Sequence, residues 1–297
     1  FPEVFYVRNS PQVYSLNGPD LNMGPQPWKP LNQFEWAEEN VRKRHGILGE
    51  LFPQRIMSLK GTGVPAGVVM LMYWFMDGGG TTGVLYVLNN GLNVPSEITW
   101  GGWGGRFRDK KRKIFAGESP QASQDPEYAK NSAGAANSSI DESAYEWSNM
   151  YGCTSDTWFD EDENILYENN IFAPLWRFRK DILFDFQARM DWCVKEYSEA
   201  NHHPLAKLYG DDGERAIMKA AVERGIEYEV DASASEDPDG DTLNFRWWIY
   251  SEAGTCKKCP LLKNEKSEVV TISIPEDAQS GDTIHLILEV FDENEIV

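Results

Sequence analysis

Two tryptophans and an arginine stand among glycines in the segment Trp100-Gly101-Gly102-Trp103-Gly104-Gly105-Arg106. Flat indole faces can stack on the apolar faces of sugar rings, while nearby polar groups hold the hydroxyls. Tryptophan is also a frequent interior residue, and glycine-rich turns often pack closely against one. The sequence therefore supports two interpretations equally, a ligand-binding loop formed by Trp100, Trp103 and Arg106, or a packed turn.

A second group of chemically capable residues is Asp237-Pro238-Asp239-Gly240-Asp241. Three carboxylates at alternate positions of a tight loop can direct oxygens at one hard cation such as Ca²⁺. An EF-hand is excluded, because the twelfth position counted from Asp237 is Trp248 rather than Glu. Asp-Pro and Asp-Gly also form hairpin turns in which Asp side chains cap backbone amides. We favour the turn and keep a metal site at Asp237, Asp239 and Asp241 as the alternative.

After residue 200, two cysteines lie close together in the sequence, and so do two histidines. Cys256 and Cys259 form a single CxxC without the second pair that a four-ligand zinc site needs. Pro260 and the strand-like surroundings argue against a thioredoxin-type motif, which leaves a local disulfide or two free thiols. His202 and His203 are adjacent and have no carboxylate at a ligand spacing, so structural or hinge roles are favoured.

The composition limits the class of partner. The 297 residues include 28 basic and 47 acidic side chains, a net charge of −19, which argues against a nucleic-acid partner. Hydrophobic residues at 41% and aromatic residues at 12% are sufficient for a packed core. The longest apolar run, Val64 to Met76, is shorter than the roughly 20 residues that cross a bilayer. We therefore expect neither a nucleic-acid nor a membrane partner.

The hydrophobic residues before residue 205 follow the period of a helix. One helix is predicted between residues 34 and 52, because its apolar residues recur three, four or seven positions apart. A second is predicted from about Trp176 to Tyr197. The polar stretch 118–143 shows no period and is predicted to be surface loop. The apolar stripe of the second helix is Ile182, Phe186, Met190, Cys193 and Tyr197.

After residue 205 the hydrophobic period changes to two, which is typical of half-buried strands. The segment Glu199–Pro204 is predicted to be the hinge, because a residue before proline is disfavoured in a helix. From Asp211 onward there are 21 acidic against 8 basic residues, a net of −13. An antiparallel sandwich of the immunoglobulin type is expected, truncated at its last strand. The alternating runs are residues 226–230, 243–249, 270–274 and 284–290.

Two long stretches of the chain resemble a known family. Residues 186–192, Phe-Gln-Ala-Arg-Met-Asp-Trp, followed by Glu-Ala-Asn-His-His-Pro at 199–204, resemble the end of the nucleoside-hydrolase-like domain in a family of cellulose-binding proteins from polysaccharide-degrading bacteria. Further upstream, Asn90-Gly91-Leu92 and the Trp100–Arg106 segment resemble that domain's loop region. The segments that resemble the family's C-terminal immunoglobulin-like domain are 231–235, 237–241, 247–248 and 274–290.

The resemblance implies a two-domain organisation. Residues 1–204 would be the C-terminal part of an α/β nucleoside-hydrolase-like domain, and residues 205–297 an all-β immunoglobulin-like sandwich. The implied function is binding or processing of cellulose or a related polysaccharide or small glycan. The implied location is secreted or periplasmic. A purely structural adhesion module is a further alternative, which would show neither sugar affinity nor hydrolysis.

The resemblance also implies an enzymatic alternative, a Ca²⁺-dependent hydrolase of N-glycosidic or other glycosyl bonds. Nucleoside-hydrolase-like domains carry an N-terminal aspartate cluster that holds Ca²⁺ and activates water, and residues 1–60 show no such cluster. Gly80 stands where the family has an acidic residue, and glycine offers no side-chain oxygen to a metal. We therefore expect the N-terminal half of the domain to be missing, and this chain to be inactive with no assignable catalytic residue.

Overall fold

The computed structural model describes residues 6–8, 38–52, 55–58, 69–72, 81–109, 112–113, 146–147, 150–161, 164–209 and 217–292. The chain forms two compact units. The first unit contains Phe1–Tyr86 and Ser96–Lys180, and the second contains Val87–Pro95 and Asp181–Val297. The domain boundary predicted near residue 205 stays a prediction. The polar stretch 118–143, Gly80 and the start of the first predicted helix lie outside the described residues.

Short strands form the sheets of the first unit. Its largest described sheet has the order β1-β7-β4, in which β1 runs parallel and β4 antiparallel to β7. Three antiparallel pairs accompany it: β2 with β3, β5 with β6, and β8 with β9. The strands are β1 Tyr6–Arg8, β2 Arg55–Ser58, β3 Val69–Met72, β4 Phe107–Asp109, β5 Arg112–Lys113, β6 Glu146–Trp147, β7 Met150–Cys153, β8 Asp156–Asp160 and β9 Ile165–Asn170.

The helix predicted between residues 34 and 52 is interrupted, so that prediction was wrong in its continuity. A π-helical turn covers Glu38–Arg42, and helix α1 covers Gly46–Leu51. Between them Arg44 has φ 66° and Gly46 has φ 57°, both in the left-handed region that a continuous helix excludes. A Cβ on Gly49 would lie 2.3 Å from the carbonyl oxygen of Arg42, so the two segments pack together because Gly49 has no side chain.

Three more helices follow: α2 Thr81–Val87, α3 Ala173–Trp176 and α4 Arg179–Trp192. Helix α4 confirms the central part of the second predicted helix, with Ile182 and Met190 buried. The predicted stripe ends there, because Cys193 and Tyr197 lie beyond the end of the helix and are exposed. None of the described helices combines the length and the apolar character needed to cross a membrane.

Aromatic residues dominate the core of the first unit. Trp176 is fully buried and stacks on Phe172, with ring centroids 5.3 Å apart. Tyr167 packs edge-to-face with Trp176 and stacks on Trp158. These two contacts join helix α3 to the β8–β9 hairpin. Aromatic pairs in offset or edge-to-face geometry add to the stabilisation from burial itself. The hairpin is therefore held against α3 by a continuous ring cluster.

The second unit contains two described antiparallel sheets, with the orders β10-β13-β12 and β11-β14. All four runs of alternating hydrophobic residues are strands, which confirms their prediction. Strand β12 was not predicted, because its two leucines give too short a run for alternation to be visible. The strands are β10 Glu227–Asp231, β11 Asn244–Ile249, β12 Leu261–Lys263, β13 Val269–Ser273 and β14 Leu286–Phe291.

The core of the second unit lies on the inner faces of these strands. Trp247 is buried together with Val270 and Ala232, and its indole Nε1 donates to the carbonyl of Ser267 at 2.9 Å. A buried indole N–H needs such an acceptor to avoid the cost of desolvation. Half-buried Phe245 and other apolar residues pack around this centre. Trp247 therefore acts as the central packing residue of the unit.

Candidate functional site

The Trp100–Arg106 loop is closed at its base by backbone hydrogen bonds. The N–H of Phe107 donates to the carbonyl of Ile98 at 3.2 Å, so the two ends of the loop meet. Inside the loop Gly101 has φ 84° and Gly105 has φ 99°, conformations that favour glycine over any residue with a Cβ. The glycines therefore set the path of the chain in this loop.

The two tryptophans of the loop differ in exposure. Trp103 is only 6% exposed and belongs to the interior, whereas Trp100 is half-buried. A ring that is to stack on a sugar must present a face to solvent. Of the two predicted tryptophans, Trp100 is the more exposed, and Trp103 is packed in the interior. The assignment of Trp100, Trp103 and Arg106 to a binding site stays a prediction.

Arg106 fixes the loop to strand β8. Its Nε donates to Asp156 Oδ1 at 2.8 Å and its Nη2 donates to the carbonyl of Ser155 at 3.0 Å. The N–H of Thr154 donates to the carbonyl of Arg106 at 3.1 Å, so both the side chain and the backbone of Arg106 are held. The guanidinium is therefore engaged with the protein, and its role in the structure is to position the loop.

Asp156 is the charge centre of this region. It is 1% exposed, and a second guanidinium, that of Arg177, lies 3.4 Å from its Oδ2. A buried carboxylate is tolerated when cations and hydrogen-bond donors surround it closely. Two arginines therefore hold Asp156, Arg106 at Oδ1 and Arg177 at Oδ2. Asp156 thus positions both guanidinium groups.

Further polar residues are buried near the end of the first unit. Asp160 is fully buried, although it begins the acidic run Asp160-Glu161-Asp162-Glu163, a pattern that is typical of a solvated surface loop. Arg179 is also buried, and its burial lowers the pKa of the guanidinium to about 9. The sequence contains one signal for this burial, because Arg177 and Arg179 alternate with the aromatic residues Trp176 and Phe178.

The Asp237–Asp241 segment adopts the favoured turn. Asp237 Oδ1 accepts hydrogen bonds from the N–H groups of Asp239 at 2.8 Å and Asp241 at 3.1 Å. The carboxylate of Asp239 accepts from the N–H of His202 at 2.6 Å. These contacts are those of an aspartate-capped turn. Across the described residues, no group of three or more carboxylate, imidazole or thiolate side chains is arranged around a common metal position.

The segment predicted as a hinge is fastened to helix α4. Trp192 Nε1 donates to the carbonyl of Asn201 at 2.7 Å, and the Trp192 ring stacks on His202. His203 Nε2 lies 2.9 Å from Asp185 Oδ1, and Arg189 Nε donates to the other oxygen of that carboxylate at 2.7 Å. Burial acts to raise the pKa of Asp185, but the hydrogen bonds from His203 and Arg189 outweigh it and hold the pKa below its usual value. These contacts give both histidines structural roles.

The CxxC cysteines are free thiols in the structure. Cys256 Sγ lies 3.2 Å from the carbonyl of Lys258, and Ser251 Oγ donates to Cys259 Sγ at 3.6 Å. Each sulfur thus has a local hydrogen-bond partner of its own. Of the two alternatives left by the sequence, the structure shows the free thiols.

Two family models match the chain. Residues 1–107 match the nucleoside hydrolase-like domain of the cellulose-binding Sde182 proteins, and residues 227–297 match the C-terminal domain of the cellulose-binding protein Sde0182. The two matches fall on separate parts of the chain, the first ending at residue 107 and the second beginning at residue 227. The resemblance drawn from the sequence is thereby confirmed. The Trp100–Arg106 loop lies within the Sde182 nucleoside hydrolase-like match, and strands β10 to β14 lie within the Sde0182 C-terminal match.

One solved structure is similar to the chain along its length. It is a nucleoside hydrolase-related hypothetical protein from Saccharophagus degradans, described as associated with carbohydrate metabolism. The sequences are 27% identical, the TM-score is 0.64, and the match covers 99% of this chain and 54% of the other. This chain therefore spans about half the length of that relative. The match supports a nucleoside hydrolase-like fold. A search of curated proteins finds no similar sequence.

Proposed function

We propose that this chain binds cellulose or a related polysaccharide. The observation that carries the proposal is the glycine loop whose Trp100 is half-buried while Arg106 and Trp103 hold it in place. A loop fixed before binding loses little conformational freedom when a sugar stacks on it. The family matches support the same class of ligand, since both family descriptions name a cellulose-binding protein.

The three predicted residues have different roles in this proposal. Trp100 supplies the aromatic face that stacks on a pyranose ring. Trp103 supports the loop from the interior, and Arg106 ties the loop to Asp156. Loss of Trp100 is thus expected to weaken binding directly, whereas loss of Trp103 or Arg106 would do so by disordering the loop.

Sedimentation with microcrystalline cellulose tests this assignment. The parent chain is expected to sediment with cellulose, and Trp100→Ala to remain largely in the supernatant. Phe159→Ala is the matched control, because Phe159 is an exposed aromatic residue of the same unit that lies outside the loop. If the double variant Trp100→Ala, Trp103→Ala sedimented as well as the parent, the loop would not be the site.

Two further properties belong to the proposal. The two sheets of the second unit would form an immunoglobulin-like sandwich, which the alternation of β10, β11, β13 and β14 supports.

A secreted or periplasmic location would bring the chain to its polysaccharide. To test the location, the chain would be fused to a periplasmic reporter in a native host. We expect osmotic shock to release the intact fusion.

A hydrolase is the second candidate, because the first unit matches a nucleoside hydrolase-like domain. The reaction would need Ca²⁺ and an activated water, and residues 1–60 contain no aspartate cluster that could hold them. We therefore expect no Ca²⁺-dependent release of base from nucleosides by this chain. Release that chelation abolishes would show that the hydrolase proposal is right for these 297 residues.

Calcium binding at Asp237, Asp239 and Asp241 remains the alternative to a simple turn. The observation in its favour is Asp237 Oδ2, which is shielded from solvent and has no hydrogen-bond partner in the described part of the chain. A carboxylate oxygen of this kind is a suitable ligand for Ca²⁺. Thermal unfolding with Ca²⁺ and again with chelator tests it, since a bound ion raises the midpoint and a simple turn does not.

A further inference from the structure

A second aromatic and charged surface lies on the outer face of the β11–β14 sheet. Side chains alternate between the two faces of a strand. Because Trp247 and Val290 point into the core, Arg246, Trp248 and Glu289 must lie on the opposite face. Arg246 and Glu289 are directly opposite each other in the register of the two strands. The three residues therefore form one row, which we call the Trp248 row.

Hydrogen bonds organise the Trp248 row around one carboxylate. Trp248 Nε1 donates to Glu289 Oε1 at 2.8 Å, and Arg246 Nε donates to Glu289 Oε2 at 2.5 Å. Both oxygens of Glu289 are thus engaged, one by the indole and one by the guanidinium. These bonds fix the plane of the indole and the orientation of the guanidinium before any ligand arrives, which lowers the entropy lost on binding.

The exposure of the row differs from one residue to the next. The side chain of Arg246 is 48% exposed, that of Glu289 is 12% exposed, and Trp248 is half-buried. Arg246 and Trp248 are two positions apart on one strand, a separation of about 7 Å along the sheet. An aromatic surface with polar groups beside it at this scale is suited to a flat, polar ring system.

We infer that the Trp248 row binds a chain of flat, uncharged pyranose rings, with one ring against the indole of Trp248 and hydroxyls at Arg246 and Glu289. This inference rests on the proposed binding of polysaccharide and adds a surface in the second unit to it. The row lies inside the segment that matches the Sde0182 C-terminal domain.

The charge of the row favours a neutral glycan over an acidic one. Glu289 neutralises the only arginine of the row, so no net positive charge is left for a uronate carboxylate. The residues from Asp211 onward carry a net charge of −13, which repels polyanions at low ionic strength. A neutral ring can still use both charged groups, because hydroxyls donate to carboxylates and accept from guanidinium groups.

The test is a titration of the full chain with cellohexaose, followed through the indole N–H signals in ¹⁵N-correlated NMR spectra. Trp248→Phe identifies the Trp248 signal by its disappearance. We expect that signal to shift in a saturable way. Trp248→Ala should bind cellohexaose at the Trp248 row at least about tenfold more weakly, as is typical of a central aromatic contact. Trp248→Phe keeps an aromatic face but loses the bond to Glu289, so its affinity should be intermediate.

Matched controls separate binding from folding. Tyr209→Ala removes an aromatic side chain of the same unit that is 80% exposed and lies outside the row, and it should bind as the parent does. The circular dichroism spectrum and thermal midpoint show whether Trp248→Ala is folded. If it is not, the shift of the Trp248 signal in the parent and the affinity of Trp248→Phe still decide the question.

The outcomes distinguish this inference from the proposed function. Shifts confined to other indoles, such as that of Trp100, would overturn the inference and leave polysaccharide binding standing. A Trp248 shift that hexagalacturonate produces as readily as cellohexaose would overturn the assignment to a neutral glycan. If the parent bound neither cellohexaose nor solid cellulose, both the inference and the proposed function would be wrong.

Discussion

The Trp100–Arg106 loop and the Trp248 row use the same types of residue at different depths. Each places a tryptophan near an arginine that is paired with a carboxylate. The Arg106–Asp156 pair is buried, and a second arginine lies against the same carboxylate. The Arg246–Glu289 pair lies at the surface. Burial therefore separates the pair that positions a loop from the pair that we propose meets a ligand.

The largest difference between the two pairs should be in stability. Asp156→Ala would leave Arg106 and Arg177 buried without their carboxylate, a loss expected to cost about 3–5 kcal/mol. Glu289→Ala is the matched control and should cost less, about 1–2 kcal/mol, because the arginine of this pair is 48% exposed and therefore solvated. Urea denaturation of the two variants measures both values. Equal losses in the two variants would contradict the comparison.

The tryptophans of the loop provide the next test. Trp103→Ala removes a buried indole, so it should destabilise the first unit by about 3–5 kcal/mol. Trp100→Ala should destabilise the unit less than Trp103→Ala does, because Trp100 is only half-buried, while it weakens attachment to cellulose. Thermal unfolding and cellulose sedimentation of the same two variants separate the roles. The reverse order of destabilisation would show that the loop packs differently.

A third arginine–carboxylate pair, Arg189 with Asp185, makes the comparison dependent on pH. The folded pKa of Asp185 lies below the unfolded value of about 3.9, so the stability that it contributes is present above that value. It is lost as the pH falls through the folded pKa. Asp185→Asn should therefore be less stable than the parent at pH 7, and the difference should shrink below pH 4. Thermal midpoints across this range measure it; a difference that is constant with pH would exclude the carboxylate charge as its cause.

The smallest expected effect is that of Glu289→Gln on sugar binding. The amide keeps an acceptor for Trp248 Nε1 but loses the charge that holds Arg246. We expect roughly fivefold weaker binding of cellohexaose at the Trp248 row, because a charged hydrogen bond is stronger than a neutral one by about 1 kcal/mol. Calorimetric titration of the variant beside the parent measures the ratio. A gain in affinity would show that the carboxylate hinders the ligand.

The strands of the second unit could be predicted because their burial alternates along the chain. In β11, Trp247 is buried while its neighbours Arg246 and Trp248 are not, and this order is visible directly as a period of two. Strand β12 could not be found in this way, because a three-residue strand is too short for a period. The break before helix α1 was also missed, since the apolar spacing continues across Arg44 and Gly46 although their backbone does not.

The candidate site was only partly accessible from the sequence. The glycines and tryptophans of the Trp100–Arg106 loop marked it, but nothing local distinguishes the buried Trp103 from the half-buried Trp100. Asp156 is 50 residues away from Arg106 in the chain, so their pairing has no local signal at all. The row formed by Arg246, Trp248 and Glu289 needed the register of two strands, which alternation alone does not give.

The most direct test of the account is an isothermal titration of this chain with cellohexaose, run once with calcium and once with chelator. The account predicts binding in both conditions, because Trp100 and the Trp248 row need no metal to stack on a sugar ring. Absence of heat in both conditions, together with no attachment to solid cellulose, would contradict it.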